Sequence, residues 1–178
     1  DFVIDLPARP LRIDIDPKFD LFRRLAVTET PPAFTELFGA SQMLVVLPRS
    51  ASGAMRKAWQ AFAQDLRHMG PERVEQVWDS EPDALPDDRA GAVLGRDNRF
   101  ARTLQQDLAR HPVSFASRHV ELGAQEMVTK NHAFALVTRR ASGDGERWPR
   151  ALIIADQAAG LPRLGRNLPH YHKYRHLT

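Results

Sequence analysis

Met43-Leu-Val-Val-Leu47 is an unbroken apolar run, and its reading decides the fold. Such a run suits a strand buried on both faces, as in the centre of a parallel sheet. Pro48-Arg-Ser-Ala-Ser-Gly53 follows as a loop. Met55, Ala58, Trp59, Phe62, Leu66 and Met69 then recur at helical spacing, the apolar stripe of an amphipathic helix that Gly70-Pro71 ends. Arg73 to Trp78 and Ala90 to Leu94 read as two more strands. Between them lies the turn chemistry of Asp79-Ser-Glu-Pro82 and Leu85-Pro86-Asp87-Asp88. Phe100, Leu104 and Leu108 mark a further helix, capped by Asp97 or Asn98. This order predicts an α/β fold: a mixed, largely parallel sheet flanked by helices in three layers.

Further out, His132 to Arg140 and Arg150 to Ala155 read as strands joined by the glycine-rich Ala141-Ser-Gly-Asp-Gly-Glu146, an antiparallel edge hairpin. His111 to Leu122 adds another strand. Phe2 to Leu6 and Leu11 to Asp16 alternate apolar and polar residues, the pattern of half-buried strands. Asp16-Pro17 predicts a short helix carrying Phe19, Phe22 and Leu25. Thr30-Pro31-Pro32 opens a helical turn with Phe34, Leu37 and Phe38. The division expected is an N-terminal extension over 1–40 packed on a single α/β domain over 41–178. At the far end, Leu164 to Tyr174 is dense in Gly, Pro, His and aromatics. It reads as an ordered basic loop that closes the domain.

The 178 residues suffice for one core, and 43% hydrophobic with 26% charged residues is ordinary for a globular chain. The formal charge of +3 is concentrated late: no acid follows Leu161, while Arg163, Arg166, Lys173 and Arg175 do. A nucleic-acid surface calls for a longer basic stripe with interleaved aromatics, so nucleic acid is not an expected partner. The absence of cysteine removes disulfides, thiolate nucleophiles and Cys-based zinc sites. No apolar run approaches the roughly 20 residues of a membrane span, and no signal peptide is present. A first residue of Asp1 reads as a processed product or a piece of a longer chain.

No GxGxxG, GxxxxGK[ST], GxSxG or HExxH occurs, which removes the common dinucleotide, P-loop, hydrolase-elbow and zinc-peptidase signatures. The strand-end loops remain. Arg49 and Ser50 stand after the first central strand and before a helix, where doubly wound sheets bind ligands and helix N-termini favour anions. Asp79, Arg96 and Asn98 join them at the ends of neighbouring strands, although Asp79 and Asn98 suit turns and caps equally well. Glu81 and Asp97 would add carboxylates for acid–base work or Mg²⁺. His170, His172 and His176 have metal-like spacing. Two His at i and i+2 of an extended segment face one way and can share Zn²⁺ or Cu²⁺. Lys173 and Arg175 oppose a cation there. Asp14, Asp16 and Asp20 lack the remaining ligands of a calcium loop.

Three stretches together resemble a known group. They are Asp16-Pro-Lys-Phe-Asp-Leu-Phe-Arg-Arg-Leu25 with Glu29-Thr-Pro-Pro32, then Met43-Leu-Val-Val-Leu-Pro48, then Leu161-Pro-Arg-Leu-Gly-Arg-Asn-Leu-Pro-His-Tyr-His-Lys-Tyr174. In this order they look like the C-terminal α/β region of large bacterial envelope proteins related to aminopeptidase N-type zinc peptidases. His172, Arg175 and His176 depart from that pattern, which has a small residue after His-Tyr and a Ser-aromatic pair after the second Tyr. The resemblance implies a non-catalytic accessory or interaction domain of a larger bacterial peptidase-like protein, in the periplasm or cell envelope. Its partners would be other domains of that protein, with Tyr171, Lys173 and Tyr174 as an interdomain contact. Any zinc and its HExxH would belong to the parent, and no catalytic residue or cofactor is carried onto this chain. Two other expectations stand beside it: an α/β domain binding small molecules or anions, enzymatic or not, through the strand-end loops, and a metal-binding module built on the three His.

Overall fold

The computed structural model describes residues 5–9, 16, 18, 20–22, 25, 30–130, 132–141, 147–171 and 176–177. The chain forms two units, Asp1–Thr30 and Pro31–Thr178. In the first, most of the two expected strands lies outside the described residues. The expected helix after Asp16 is absent from the described positions. Asp16 adopts φ 55°, and its carboxylate accepts the N–H groups of Asp20 and Leu21. It closes a loop because its short side chain tolerates the left-handed region and competes for nearby amides.

The second unit begins with α1 (Phe34–Phe38), whose Phe34, Leu37 and Phe38 are buried in the main core. That helix therefore belongs to the α/β unit, and the division falls at Thr30 rather than at residue 40. The Glu36 carboxylate accepts the Ala33 N–H at 3.0 Å and pairs with Arg139, fixing the start of α1 against the sheet.

The sheet is built from β1 (Gln42–Leu47), β2 (Arg73–Trp78), β3 (Ala90–Leu94), β7 (Ala133–Ala141), β8 (Arg147–Ala155) and β9 (His176–Leu177). Its order is β2-β1-β3-β8-β7-β9. β2, β1, β3 and β8 run parallel, and β7 is antiparallel to both β8 and β9. The apolar run of β1 does what its composition dictates. Met43, Val45 and Leu47 enter one core, while Leu44 and Val46 enter a second on the opposite face. The first core is covered by α2 (Gly53–Arg67), with Trp59 and Phe62 edge-to-face at 6.2 Å, and by α4 (Leu161–Asn167). The second lies under α3 (Ala101–Leu108) and a separate antiparallel sheet of β4 (Val113–Phe115), β5 (His119–Leu122) and β6 (Gln125–Val128). The inner face of that small sheet contributes Val113, Phe115, Val120, Leu122 and Met127.

Where a closing loop is expected, the chain is helical. Leu161, Leu164 and Leu168 are buried at the i, i+3, i+7 spacing of an apolar stripe, Pro162 sits in the first turn where it is tolerated, and a 3-10 turn over Leu168–Tyr171 follows. Gly165 permits α4 to approach α2; a Cβ there would stand 3.2 Å from the Asp65 carboxylate and 3.7 Å from Phe62.

A buried cation occupies the other end of the sheet. Arg150 is 1% exposed, and its Nη1 donates to the Arg89 carbonyl at 2.6 Å in space that Gly91 leaves free. Burial pushes its guanidinium down to about 10, with the Asp87 carboxylate working the other way.

Gly95 ends β3 at φ 87°, and a Cβ there would stand 2.9 Å from Pro48 Cγ. Gly95→Ala is therefore expected to lower stability by roughly 1–3 kcal/mol, because the conformation is strained for an L side chain and the β1 and β3 loops can no longer close together. Urea denaturation with an unchanged slope would measure it.

Candidate functional site

β1 and β3 are neighbours whose connections leave on opposite faces, β1 into α2 and β3 into α3. Their C-terminal ends form the switch point at which open α/β sheets bind ligands. Two polar side chains shape it. Asp79, 5% exposed after β2, accepts the Arg49 N–H at 2.9 Å on one carboxylate oxygen and the Arg99 N–H at 3.0 Å on the other. It stitches the loop after β1 to the loop after β3. Asn98, 3% exposed, donates its amide to the Val46 and Leu94 carbonyls and accepts the Phe100 N–H at 3.1 Å. Both side chains are thus occupied in holding backbone, the turn-building role that their residue types also allow.

Arg49 points elsewhere: its guanidinium lies over the Trp78 ring at 5.9 Å, beside Arg56 at 5.8 Å. Ser50 reaches across to the Asp97 carbonyl at 3.4 Å. The crevice between the two loops is therefore bridged, and the open space lies on the α3 side. A cleft of about 560 Å³ is lined by Arg96, Arg99, Arg102, Gln105, Phe115 and Ser117, with Asp97 and Asn98 at the β3 loop. Of the five residues read from sequence, the structure brings Arg96 and Asn98 to this cleft and leaves Arg49, Ser50 and Asp79 outside its lining.

Two of the three cleft arginines are held in place. Arg96 donates Nη1 to the Ala116 carbonyl at 2.6 Å, and its Nε stands 3.8 Å from the Asp156 carboxylate, which also takes the Thr129 hydroxyl. Its Nε and Nη2 are shielded from solvent without a hydrogen-bond partner. Arg99 donates to the Pro82 carbonyl and stacks on Phe100 at 4.7 Å. Arg102 is exposed in the first turn of α3. That turn contains no acid and no side chain caps it. Ala101 donates to the Asn98 carbonyl and Leu104 to that of Phe100, which leaves the N–H groups of Arg102 and Thr103 at the positive end of the helix.

Sequence reading missed Arg99 and Arg102. The first turn of α3 carries Arg102 where helix starts favour acids, and Arg99 stands just before its N-cap.

Of the candidate metal residues, His172 and the side chain of His176 lie outside the described residues. His170 lies exposed in a 3-10 turn. Lys173 and Tyr174 also lie outside the described residues. Tyr171 ends the 3-10 turn, and the His176 backbone pairs with Leu136 in β9. A different group has metal-ligating composition. His119, Glu121 and Glu126 share the outer face of the small sheet, with one ligand atom each inside 4.8 Å. Glu121 faces Glu126 directly across the strands and accepts the Ser114 hydroxyl at 2.6 Å. His119 Nδ1 is 3.4 Å from Glu126. A smaller cavity of about 250 Å³ under that sheet is lined mainly by Leu108, Pro112, Val113, Leu122 and Leu136.

No protein-family model matches the chain, and no curated protein matches it. Among the described residues, no helix is long and apolar enough to cross a membrane.

Asp79→Ala strips the acceptor from two backbone N–H groups at once and is expected to cost on the order of 2 kcal/mol in chemical denaturation. Asp79→Asn, which keeps one oxygen acceptor, should cost less. Equal stability of Asp79→Ala and the parent would show that the two loops do not depend on this carboxylate.

Proposed function

We propose that this chain is a ligand-binding α/β domain that takes a small anionic molecule in the cleft at the start of α3. One observation carries the reading: Arg96, Arg99 and Arg102 converge on a cleft at a helix N-terminus that has no acid in its first turn. Like-signed charge and helix dipole oppose each other there, and a bound anion relieves both. Guanidinium forks match the paired oxygens of carboxylates and phosphates. Asp79 and Asn98 serve this reading indirectly, by fixing the loop that presents Arg96 and Arg99.

The reading as an accessory domain of a peptidase-like protein rests on three stretches: Asp16 to Leu25 with Glu29 to Pro32, Met43 to Pro48, and lastly Leu161 to Tyr174. Much of that stretch is explained by packing, since Leu161, Leu164 and Leu168 are core residues. The cleft is therefore the better-supported site.

Calorimetry across a panel of small oxyanions tests the proposal. Saturable binding is expected for at least one, weakened about tenfold (roughly 1.4 kcal/mol) in Arg102→Ala and weakened by added salt. Arg56→Ala, which removes a guanidinium stacked on Trp78, should bind as the parent does. Flat titrations throughout, or equal losses in both variants, would count against a site at α3.

A further inference from the structure

We infer that the ligand of this cleft is a phosphate monoester carried on a hydroxylated body, such as a sugar phosphate; this rests on the anion-binding reading above. The donors are counted against the oxygens. Three separate sources meet at the start of α3: the Arg99 guanidinium, the Arg102 guanidinium, and the backbone N–H of Arg102. A phosphate monoester offers three terminal oxygens, one for each source, whereas a carboxylate offers two. Arg99 is already oriented by Pro82 and Phe100, so little side-chain entropy is lost when it binds. Arg96 adds fixed positive charge beside them. Its Nε and Nη2 lack hydrogen bonds, and Asp156 offsets its charge only from 3.8 Å.

The rest of the cleft describes what the phosphate is attached to. Its volume of about 560 Å³ far exceeds a phosphate group. Gln105 lies one helical turn beyond Arg102, facing the same way, and Ser117 and Asp97 stand on the remaining walls. An amide, a hydroxyl and a carboxylate together donate to and accept from hydroxyl groups. Phe115 is the only aromatic ring in the lining, and it packs into the second core, so no stacking slot for a base is formed.

The test compares four probes by calorimetry on the whole chain: a hexose monophosphate, the matching uronate, inorganic phosphate and citrate. The hexose monophosphate is expected to bind at least tenfold more tightly than the others. That affinity should fall about tenfold in Arg99→Ala and in Arg102→Ala. Gln105→Leu should weaken the ester while leaving inorganic phosphate unchanged, which separates loss of recognition from loss of fold. A uronate or citrate that binds as tightly as the ester would overturn the phosphate assignment and leave the anion-binding reading standing. Inorganic phosphate binding as tightly as its ester would overturn the hydroxylated body. No binding by any probe would remove both.

Discussion

Burial of β1 and β3 on both faces is the constraint from which the rest of the architecture follows. Met43, Val45 and Leu47 on one side and Leu44 and Val46 on the other cannot be left to water, so both faces must be covered. α1, α2 and α4 cover one, and α3 with the small sheet covers the other. Covering both faces sends the chain leaving β1 and the chain leaving β3 in opposite directions. The strand ends are thereby splayed, and polar loops with unsatisfied backbone groups gather at one point. Asp79 and Asn98 satisfy those groups, and in doing so they turn a gap into a defined rim.

The electrostatics of the rim differ from those at the opposite end of the sheet. There Arg150 is buried, bonded to a carbonyl and approached by the Asp87 carboxylate, a cation kept within the structure. At the start of α3, Arg99 and Arg102 line an open cleft, with the largely shielded Arg96 beside them, next to a helix dipole of the same sign. A fold with no use for that charge would be more stable with an acid in the first turn. The cleft stands on the α3 side of the bridged switch point, beside the loop after β3.

Most of the α/β unit was legible in the chain because its period is clean. Arg73 to Trp78 and Ala90 to Leu94 match their strands end to end, and the stripe from Met55 to Leu66 gave α2. The failures have physical causes. α4 was masked by Gly165 and Pro162, residues that suggest a loop but here serve close helix packing and a first turn. The small sheet was compressed into a single strand because its elements are only three and four residues long, too short for alternation to declare itself. At the site, Arg96 and Asn98 were found by position relative to the strands. Arg99 and Arg102 were passed over because surface arginines are common, and only the fold shows that these share a cleft.

The most direct single measurement is amide and arginine side-chain NMR of the labelled chain during titration with a hexose monophosphate. Saturable shifts confined to Arg96, Arg99 to Thr103, Gln105 and Ser117 are expected, with the arginine Nε–H signals among the most displaced. Shifts scattered over arginines on every face, or centred on Arg49 and Arg56, would contradict an anion site at the start of α3.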